Sequence, residues 1–164
     1  MNVPMKSVSY RGGLVSFHLP QNWREEYEAE GGGTFYEDKP DSGTLRLNVL
    51  SFEKKQPLKV DDATREIFAG DAHEVIPCGF PMRHSVKEAE EQGTPLRLYR
   101  WEVLIPVSPT WWRLACFTHT VIAAQDGTPQ SQEELRLINA IVREAQYSTE
   151  PGVVPERPWW RFWR

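Results

Sequence analysis

The sequence is short of cysteine, of long apolar runs and of positive charge, and each shortage excludes a class of protein. The 164 residues include only two cysteines, Cys78 and Cys116, too few for a multi-disulfide scaffold. No apolar run approaches the roughly 18 residues of a membrane-spanning helix. Lysine and arginine total 19 against 23 for aspartate and glutamate, and the resulting net charge of −4 argues against general binding of nucleic acid. No nucleic-acid partner is therefore expected.

The rest of the composition is that of an ordinary globular protein. Hydrophobic residues make up 40% and charged residues 26% of the chain, which excludes a wholly disordered chain and a coiled coil. We predict a single domain over residues 1–150 and a separate tail over residues 151–164. The first ten residues contain one lysine and no apolar block, so no secretory signal is expected there. A cytoplasmic location with two free thiols is the corresponding expectation.

Alternating apolar and polar residues predict several strands in the first half of the chain. Residues 14–19 alternate up to Pro20, which lacks the N–H needed to continue a strand. Three consecutive glycines at 31–33 predict a turn into a returning strand at 34–36. A longer strand is predicted over 44–52, with the pattern of a half-buried strand. Its apolar face carries Leu45, Leu47 and Val49, and its polar face carries Thr44, Arg46 and Asn48.

The second half of the chain predicts a long β-hairpin. Residues 96–105 and 111–124 are rich in β-branched and aromatic side chains, and Pro106 is expected to end the first of these strands. A weaker strand is predicted over 83–89. Glycine and polar residues at 88–93 predict the turn that leads into the hairpin.

Two helices are predicted, a short one in the middle of the chain and a long one near its end. The short helix is expected over 61–69, with Asp61 or Asp62 as its N-cap. The long helix follows Ser131, whose side chain is expected to form a capping box with Glu134. Its apolar stripe consists of Leu135, Ile138, Val142 and Ala145.

This order of elements predicts an α+β fold. A run of strands, a short helix, more strands and a long C-terminal helix are typical of an antiparallel sheet with helices packed on it. We therefore expect a twisted antiparallel sheet with a short middle helix and a long C-terminal helix, and we expect both helices on one face of that sheet.

Three stretches of the sequence carry a family resemblance. They are Phe17-His18-Leu19-Pro20 followed by Trp23, then Phe35-Tyr36, then Gly43-Thr44-Leu45-Arg46-Leu47. Together with the C-terminal helix after a long hairpin, they resemble the Mog/PsbP-like superfamily, which includes the bacterial DcrB-related proteins. The resemblance covers roughly residues 14–147. It implies an α+β scaffold that usually binds another macromolecule and rarely does chemistry.

No spacing in the sequence predicts a metal, cofactor or catalytic site. The four histidines and two cysteines form no C-x-x-C or H-x-x-x-H pair. Cys116 and His119 lie three apart on a predicted strand, so they are expected on opposite faces. Cys116 has apolar neighbours and is expected to be an inert, buried thiol. The chain is therefore expected not to be an enzyme and to need no cofactor.

Aromatic residues at two places predict contact with a partner. Trp111 and Trp112 begin a strand, so one ring is expected in the core and the other on the solvent side or under the tail. The tail interleaves aromatic residues with arginine, and three alternatives stay open for it. It folds back onto its own domain, docks on a partner or neighbouring subunit, or lies at a membrane surface. The candidate partner-binding residues are Trp159, Trp160, Arg161, Phe162, Trp163 and Trp112.

The leading hypothesis is a non-enzymatic protein-binding module, such as an adaptor, a chaperone or an immunity-type protein. It is expected to engage one protein partner or a second copy of itself. One alternative is a small-ligand-binding protein or enzyme with a pocket between the sheet and the C-terminal helix, lined by His84, His119 or Cys116. The other alternative is a peripheral membrane protein held by its tail.

Overall fold

Ten strands and two helices follow one another along residues 3–151, the part of the chain that the computed structural model describes. The first five strands are β1 (Met5–Tyr10), β2 (Val15–Pro20), β3 (Trp23–Tyr27), β4 (Gly33–Glu37) and β5 (Thr44–Glu53). Helix α1 (Val60–Ile67) precedes β6 (Glu74–Val75), β7 (Pro81–Glu91), β8 (Thr94–Ser108) and β9 (Trp111–Ile122). A 3-10 turn (Ala123–Gln125), helix α2 (Pro129–Glu144) and β10 (Gln146–Tyr147) complete the order.

The strands form two antiparallel sheets. Seven of them make a large sheet in the order β3-β4-β5-β9-β8-β7-β6, and the other three make a small sheet in the order β1-β2-β10. The predicted α+β class and the long β8–β9 hairpin are confirmed. The small sheet was not predicted as such, because β1 alternates serine with only two buried apolar residues, Val8 and Tyr10, and β10 is two residues long.

The β7–β8 hairpin is longer than its sequence suggests. Strand β7 continues through Glu91, and the turn is confined to Gln92 and Gly93, which both have positive φ. The turn predicted over 88–93 was therefore too wide, because the acidic residues before it lie in an exposed strand. Strand β8 also continues through Pro106 to Ser108. Pro106 has no N–H to donate to β9, and the pairing with β9 shifts by one residue between Pro106 and Ser108.

Both predicted helix starts are corrected by the structure. Helix α1 begins after Lys59, so Asp61 and Asp62 lie within its first turn, where a negative charge favours the helix dipole, and neither is the N-cap. Helix α2 begins at Pro129, and Thr128 is the N-cap, accepting the Ser131 backbone N–H at 3.2 Å. The predicted capping box between Ser131 and Glu134 is wrong, because Glu134 turns inward.

The two helices lie on opposite faces of the large sheet, not on one face as predicted. Helix α2 and the small sheet share the main hydrophobic core with one face of the large sheet, which we call the inner face. Helix α1 packs on the other face, the outer face, in a second and smaller cluster. This arrangement follows from β9, which buries Trp112 and Leu114 on its outer side and Ala115 and Phe117 on its inner side.

Candidate functional site

The outer face of the large sheet is covered at one end only. Ala63 of α1 and Phe68, the residue that follows the helix, pack there against Leu104, Trp112 and Leu114. Helix α1 has only eight residues, about 12 Å of length, so it shields the start of β9 and not its end. The remainder of the outer face is left to solvent.

Burial along β9 marks the point where the cover ends. On the inner face, Phe117 and His119 are fully buried. On the outer face of the same strand, Thr118 and Thr120 are half-buried and Ile122 is 47% exposed. We call the uncovered part of the outer face on β5, β7, β8 and β9 the open face. Its residues are Thr44, Arg46, Asn48, Leu50, Ser85, Lys87, Ala89, Glu91, Thr94, Leu96, Leu98, Arg100, Thr118, Thr120 and Ile122.

The strand register places two arginines beside one threonine at the centre of the open face. Arg100 on β8 lies opposite Thr118 on β9, and Thr118 lies opposite Arg46 on β5. The same row continues to Ser85 on β7 and, on the other side, to Thr34 on β4 and Glu26 on β3. Neighbours in such a row point to the same side of the sheet, so these side chains form one continuous strip.

The open face is positively charged although the whole chain is negative. Arg46, Lys87 and Arg100 belong to it against one acidic residue, Glu91 at the end of β7, whereas the chain carries −4 overall. In the adjoining row, Glu102 is buried and already paired with Arg83, and the Glu28 carboxylate lies beside Gly32 and Asn48 at the far end. A partner approaching the centre of this face therefore meets Arg46 and Arg100, with acidic side chains at the edges of the face.

An ion pair fixes the boundary between the covered and the open parts of the outer face. The guanidinium of Arg83 donates to both carboxylate oxygens of Glu102, at 2.9 and 3.0 Å. It also donates to the Phe68 carbonyl at 3.2 Å and to Asp71 at 2.9 Å. Arg83 thus joins β7 and β8 to the end of α1.

Trp112 is not available to a partner, which corrects its assignment as a partner-binding residue. Its side chain is only 1% exposed and packs under α1 with Phe68 and Leu104. Trp111 is the less buried of the two rings, and it lies under the guanidinium of Arg113. Sequence alternation placed the two rings on opposite faces, but it did not show that both faces are covered at this point.

The other candidate partner-binding residues lie outside the described part of the chain. These are Trp159, Trp160, Arg161, Phe162 and Trp163. Their role in binding a partner stays a prediction. Before them, Arg113 donates to the carbonyls of Ser148 and Glu150, both at 2.8 Å, so the chain is held to the inner face up to that point.

The histidines and cysteines of residues 3–151 do not assemble into a metal site. No group of three or more His, Cys, Asp or Glu residues in that range is placed to hold an ion. Cys116 and His119 lie on opposite faces of β9, as predicted from their spacing. Burial raises the pKa of the Cys116 thiol to about 12, which keeps it protonated at neutral pH.

His119 and Glu134 place two ionisable groups inside the main core. Both are buried, and Glu134 accepts the Gly43 backbone N–H at 2.8 Å. Burial lowers the pKa of His119 to about 4, against the opposing effect of Asp126. Burial also raises the pKa of Glu134. These groups connect the start of β5 to α2 and do not reach the open face.

A groove lies between the small sheet and α2. It has a volume of about 330 Å³, with Phe17 and Ile141 among its apolar walls and Ser7, His18 and Glu144 among its polar ones. The alternative pocket was expected beside His84, His119 or Cys116, and none of those three lines this groove. Among residues 3–151, no helix has the length and apolar character needed to cross a membrane.

Comparison with known proteins identifies the fold. Neither a protein-family model nor a curated protein matches the sequence. The Ran-binding protein Mog1p of Saccharomyces cerevisiae matches with a TM-score of 0.58 at 10% identity, over 93% of this chain and 99% of Mog1p. LpqN of Mycobacterium tuberculosis, a protein involved in cell envelope biogenesis, matches with a TM-score of 0.59 at 12% identity, over 80% of this chain and 82% of LpqN.

A third similar structure, from Bacteroides thetaiotaomicron, has a TM-score of 0.59 at 19% identity. It matches 87% of this chain, which spans only 48% of that longer protein. The chain has the Mog/PsbP-like fold, and the resemblance seen in its sequence is confirmed at that level.

The sequence contains a signal for the open face that was not recognised as a binding site. The alternation of residues 44–52 placed Arg46 on the polar side of its strand, and Arg100 lies within the strand predicted over 96–105. Joining the two requires the register of β5, β9 and β8, which comes from residues far apart in sequence. Two arginines on the solvent sides of strands that flank one long strand would have been the signal to follow.

Proposed function

We propose that the chain is a non-enzymatic module that binds a protein partner through its open face. One observation carries this proposal: part of the outer face of a seven-stranded sheet is uncovered, and the two arginines at its centre, Arg46 and Arg100, have only hydroxyl-bearing residues opposite them in the register. Solvent-facing sheet surfaces are common, but two arginines that have no ion-pair partner within residues 3–151 and are flanked by leucine and isoleucine suit recognition of another protein.

The fold supports a binding role without specifying the partner. Mog1p, which shares the fold, is a Ran-binding protein, so this scaffold can present a protein-binding surface. The protonated thiol of Cys116 and the enclosed imidazole of His119 are poor candidates for nucleophile and base, which favours a role without catalysis. A cytoplasmic location and the exclusion of nucleic acid stay predictions.

Affinity capture with a blocked open face tests the proposal. The full chain is tagged, produced in its native cells and compared with Thr118→Trp, which places a large ring between Arg46 and Arg100. Gln132→Trp, at an exposed position of α2, is the matched control. We expect a protein that the unmodified chain and Gln132→Trp both retain and that Thr118→Trp loses at least tenfold, with unchanged melting temperatures. Equal retention by all three chains would contradict the open face as the binding surface.

A second candidate function is small-ligand binding in the groove between the small sheet and α2. The volume of about 330 Å³ lies at the lower end of the range for ligand sites, which begins at about 300 Å³. Ala140→Trp would fill this groove from α2. Suppose that Ala140→Trp loses the captured partner or a bound small molecule, whereas Thr118→Trp retains it. That result would assign the binding function to the groove and not to the open face.

A further inference from the structure

The arginines of the open face differ from the other arginines of the structure in lacking a partner. Eight arginine side chains within residues 3–151 form an ion pair with a carboxylate or donate to a backbone carbonyl. They are Arg11, Arg24, Arg65, Arg83, Arg97, Arg113, Arg136 and Arg143. In the same range, the guanidinium groups of Arg46 and Arg100 are the two with neither a hydrogen bond nor an ion pair. The chain therefore supplies acidic partners elsewhere and leaves these two unsatisfied.

The two free guanidinium groups are placed to act together. Arg46 and Arg100 flank Thr118 on the neighbouring strands. Adjacent strands lie about 4.8 Å apart, so the two backbones are separated by about 10 Å with the threonine between them. Long, flexible arginine side chains close that gap readily, because each reaches over the short Thr118 side chain from its own side. The open space above Thr118 is thus bordered by two forks of N–H donors and one hydroxyl.

We propose that Arg46, Thr118 and Arg100 form a binding site for the carboxylate side chains of an acidic segment of the partner. This inference rests on the proposed function of the open face and names the chemistry of the partner. Each guanidinium can donate two parallel N–H hydrogen bonds to one carboxylate. The Thr118 hydroxyl, between the two arginines, can donate an additional O–H hydrogen bond. Fork-shaped donors of this type match planar carboxylates better than a lysine ammonium does.

The surroundings of the site favour an acidic protein segment over a polynucleotide. None of the residues that define the open face is aromatic, so it offers no ring on which a base could stack. Leu98 lies beside Arg100 on β8, with Thr120 and then Ile122 further along the same side of β9. A partner with aliphatic residues next to its acidic ones would use both parts of this surface, and Lys87 opposite Leu98 adds a further positive charge.

A titration with a simple acidic polymer tests the site directly. The probe is a 20-residue polyglutamate peptide added to the full chain, and the readout is the NMR signals of the arginine side-chain Nε–H groups and the backbone amides. We expect saturable shifts concentrated at Arg46, Thr118 and Arg100. The binding should weaken with added salt, because the contacts are between exposed charges.

Charge-neutralising variants separate this site from general attraction. Arg46→Gln and Arg100→Gln each remove one fork, and we expect each to weaken polyglutamate binding about tenfold. Arg65→Gln, on the exposed side of α1, changes the net charge by the same amount and should leave the affinity within about twofold. Equal weakening by all three variants would overturn the site in favour of a nonspecific effect of net charge.

Other ligands give outcomes that contradict the proposal. Equal or tighter binding of a 20-nucleotide oligothymidylate at the same residues would assign the site to single-stranded nucleic acid. Saturation by inorganic phosphate alone would assign it to a small anion. A dimer seen by light scattering, and lost in Arg100→Gln, would assign it to a second copy of the chain. Each of these results overturns the acidic partner.

The experiment also distinguishes this inference from the proposed function. Suppose polyglutamate causes no localised shift while Thr118→Trp still abolishes capture of a protein in cells. Then the open face binds a partner of different chemistry, and only the acidic segment is wrong. Suppose instead that Thr118→Trp has no effect on capture. Then the proposed function fails, whatever the affinity for polyglutamate.

Discussion

His119 and Gly43 occupy one small space where β5 begins. A Cβ atom at Gly43 would lie 2.4 Å from the His119 ring. Only glycine fits at this position, because the imidazole lies so close to the backbone. The Gly43 N–H is in turn accepted by Glu134 of α2. A neutral imidazole fits this enclosed site, whereas its protonated form would have to carry a buried charge.

Replacing His119 by glutamine should flatten the dependence of stability on pH. The pKa of His119 is about 4 in the fold, below the value of about 6.5 in an unfolded chain. The unfolded state therefore binds the proton more readily between these values, and the stabilising contribution present above pH 6.5 is lost as pH falls toward 4. The loss is about 3 kcal/mol for this one group. Urea unfolding at pH 7.0 and pH 4.5 measures it.

Glu134 acts in the opposite direction, so the comparison needs a control. The raised pKa of Glu134 means that its contribution to stability is present at low pH and lost as pH rises through that value. Both the wild type and His119→Gln retain Glu134, so the difference between their pH slopes isolates the histidine. A wild-type slope in His119→Gln would show that His119 does not titrate as described.

At the scale of elements, the Arg83–Glu102 pair holds α1 against the hairpin. Glu102 is buried, and both of its carboxylate oxygens accept from Arg83. Arg83→Met should destabilise the fold by about 3 kcal/mol, because a buried carboxylate loses its partner. The double variant with Glu102→Leu should recover most of that loss. Urea unfolding at neutral pH measures both.

The matched control for this pair is Arg143→Met on α2. Its partner Glu74 is about half exposed, so loss of that ion pair should reduce stability by about 1 kcal/mol or less. A loss from Arg83→Met no greater than that from Arg143→Met would contradict a structural role for the buried pair at the boundary of the open face.

Helix α2 offers a direct test of its N-cap. Thr128→Ala removes the side chain that accepts the Ser131 N–H and should destabilise the protein by about 1 kcal/mol in thermal or urea unfolding. Gln132→Ala, an exposed change in the same turn, should be close to neutral. If Thr128→Ala were neutral and Ser131→Ala destabilising, the cap would instead belong to Ser131, as its sequence context suggested.

The elements that sequence alone predicted are those whose signal is local. The β8–β9 hairpin and the apolar stripe of α2 were found because β-branched residues and helical spacing are visible within one segment. The cap at Thr128 was missed because Ser131 and Glu134 offered an equally good local pattern. Glu134 is drawn inward by Gly43, which is 91 positions away, and no local pattern shows that contact.

For the molecule as a whole, the two hydrophobic cores are unequal in size. The main core fills the space between the inner face, α2 and the small sheet, whereas the second core is one cluster under α1. Because α1 is shorter than the strands it packs on, the large sheet is closed on one side and half open on the other. The open face is a consequence of that mismatch in length.

The candidate site could be predicted from sequence only in part. The polar side of residues 44–52 already contained Arg46, but its neighbours come from strands that pair across more than 50 positions. The assignment of Trp112 failed for the same reason, since α1 covers its side of β9 and only the fold shows which side α1 takes. Sequence patterns identify the polar side of a strand, whereas the register decides which polar residues become neighbours.

Site-specific crosslinking in living cells is the most direct test of the open face. A photoreactive phenylalanine derivative replaces Thr118 in the full chain, and matched derivatives replace Gln132 on α2 and Leu137 beside the groove. We predict one discrete protein adduct from position 118, none from 132 or 137, and loss of that adduct when Arg46 and Arg100 are both changed to glutamine. A discrete adduct from position 137 with none from position 118 would contradict the open face and assign partner binding to the groove.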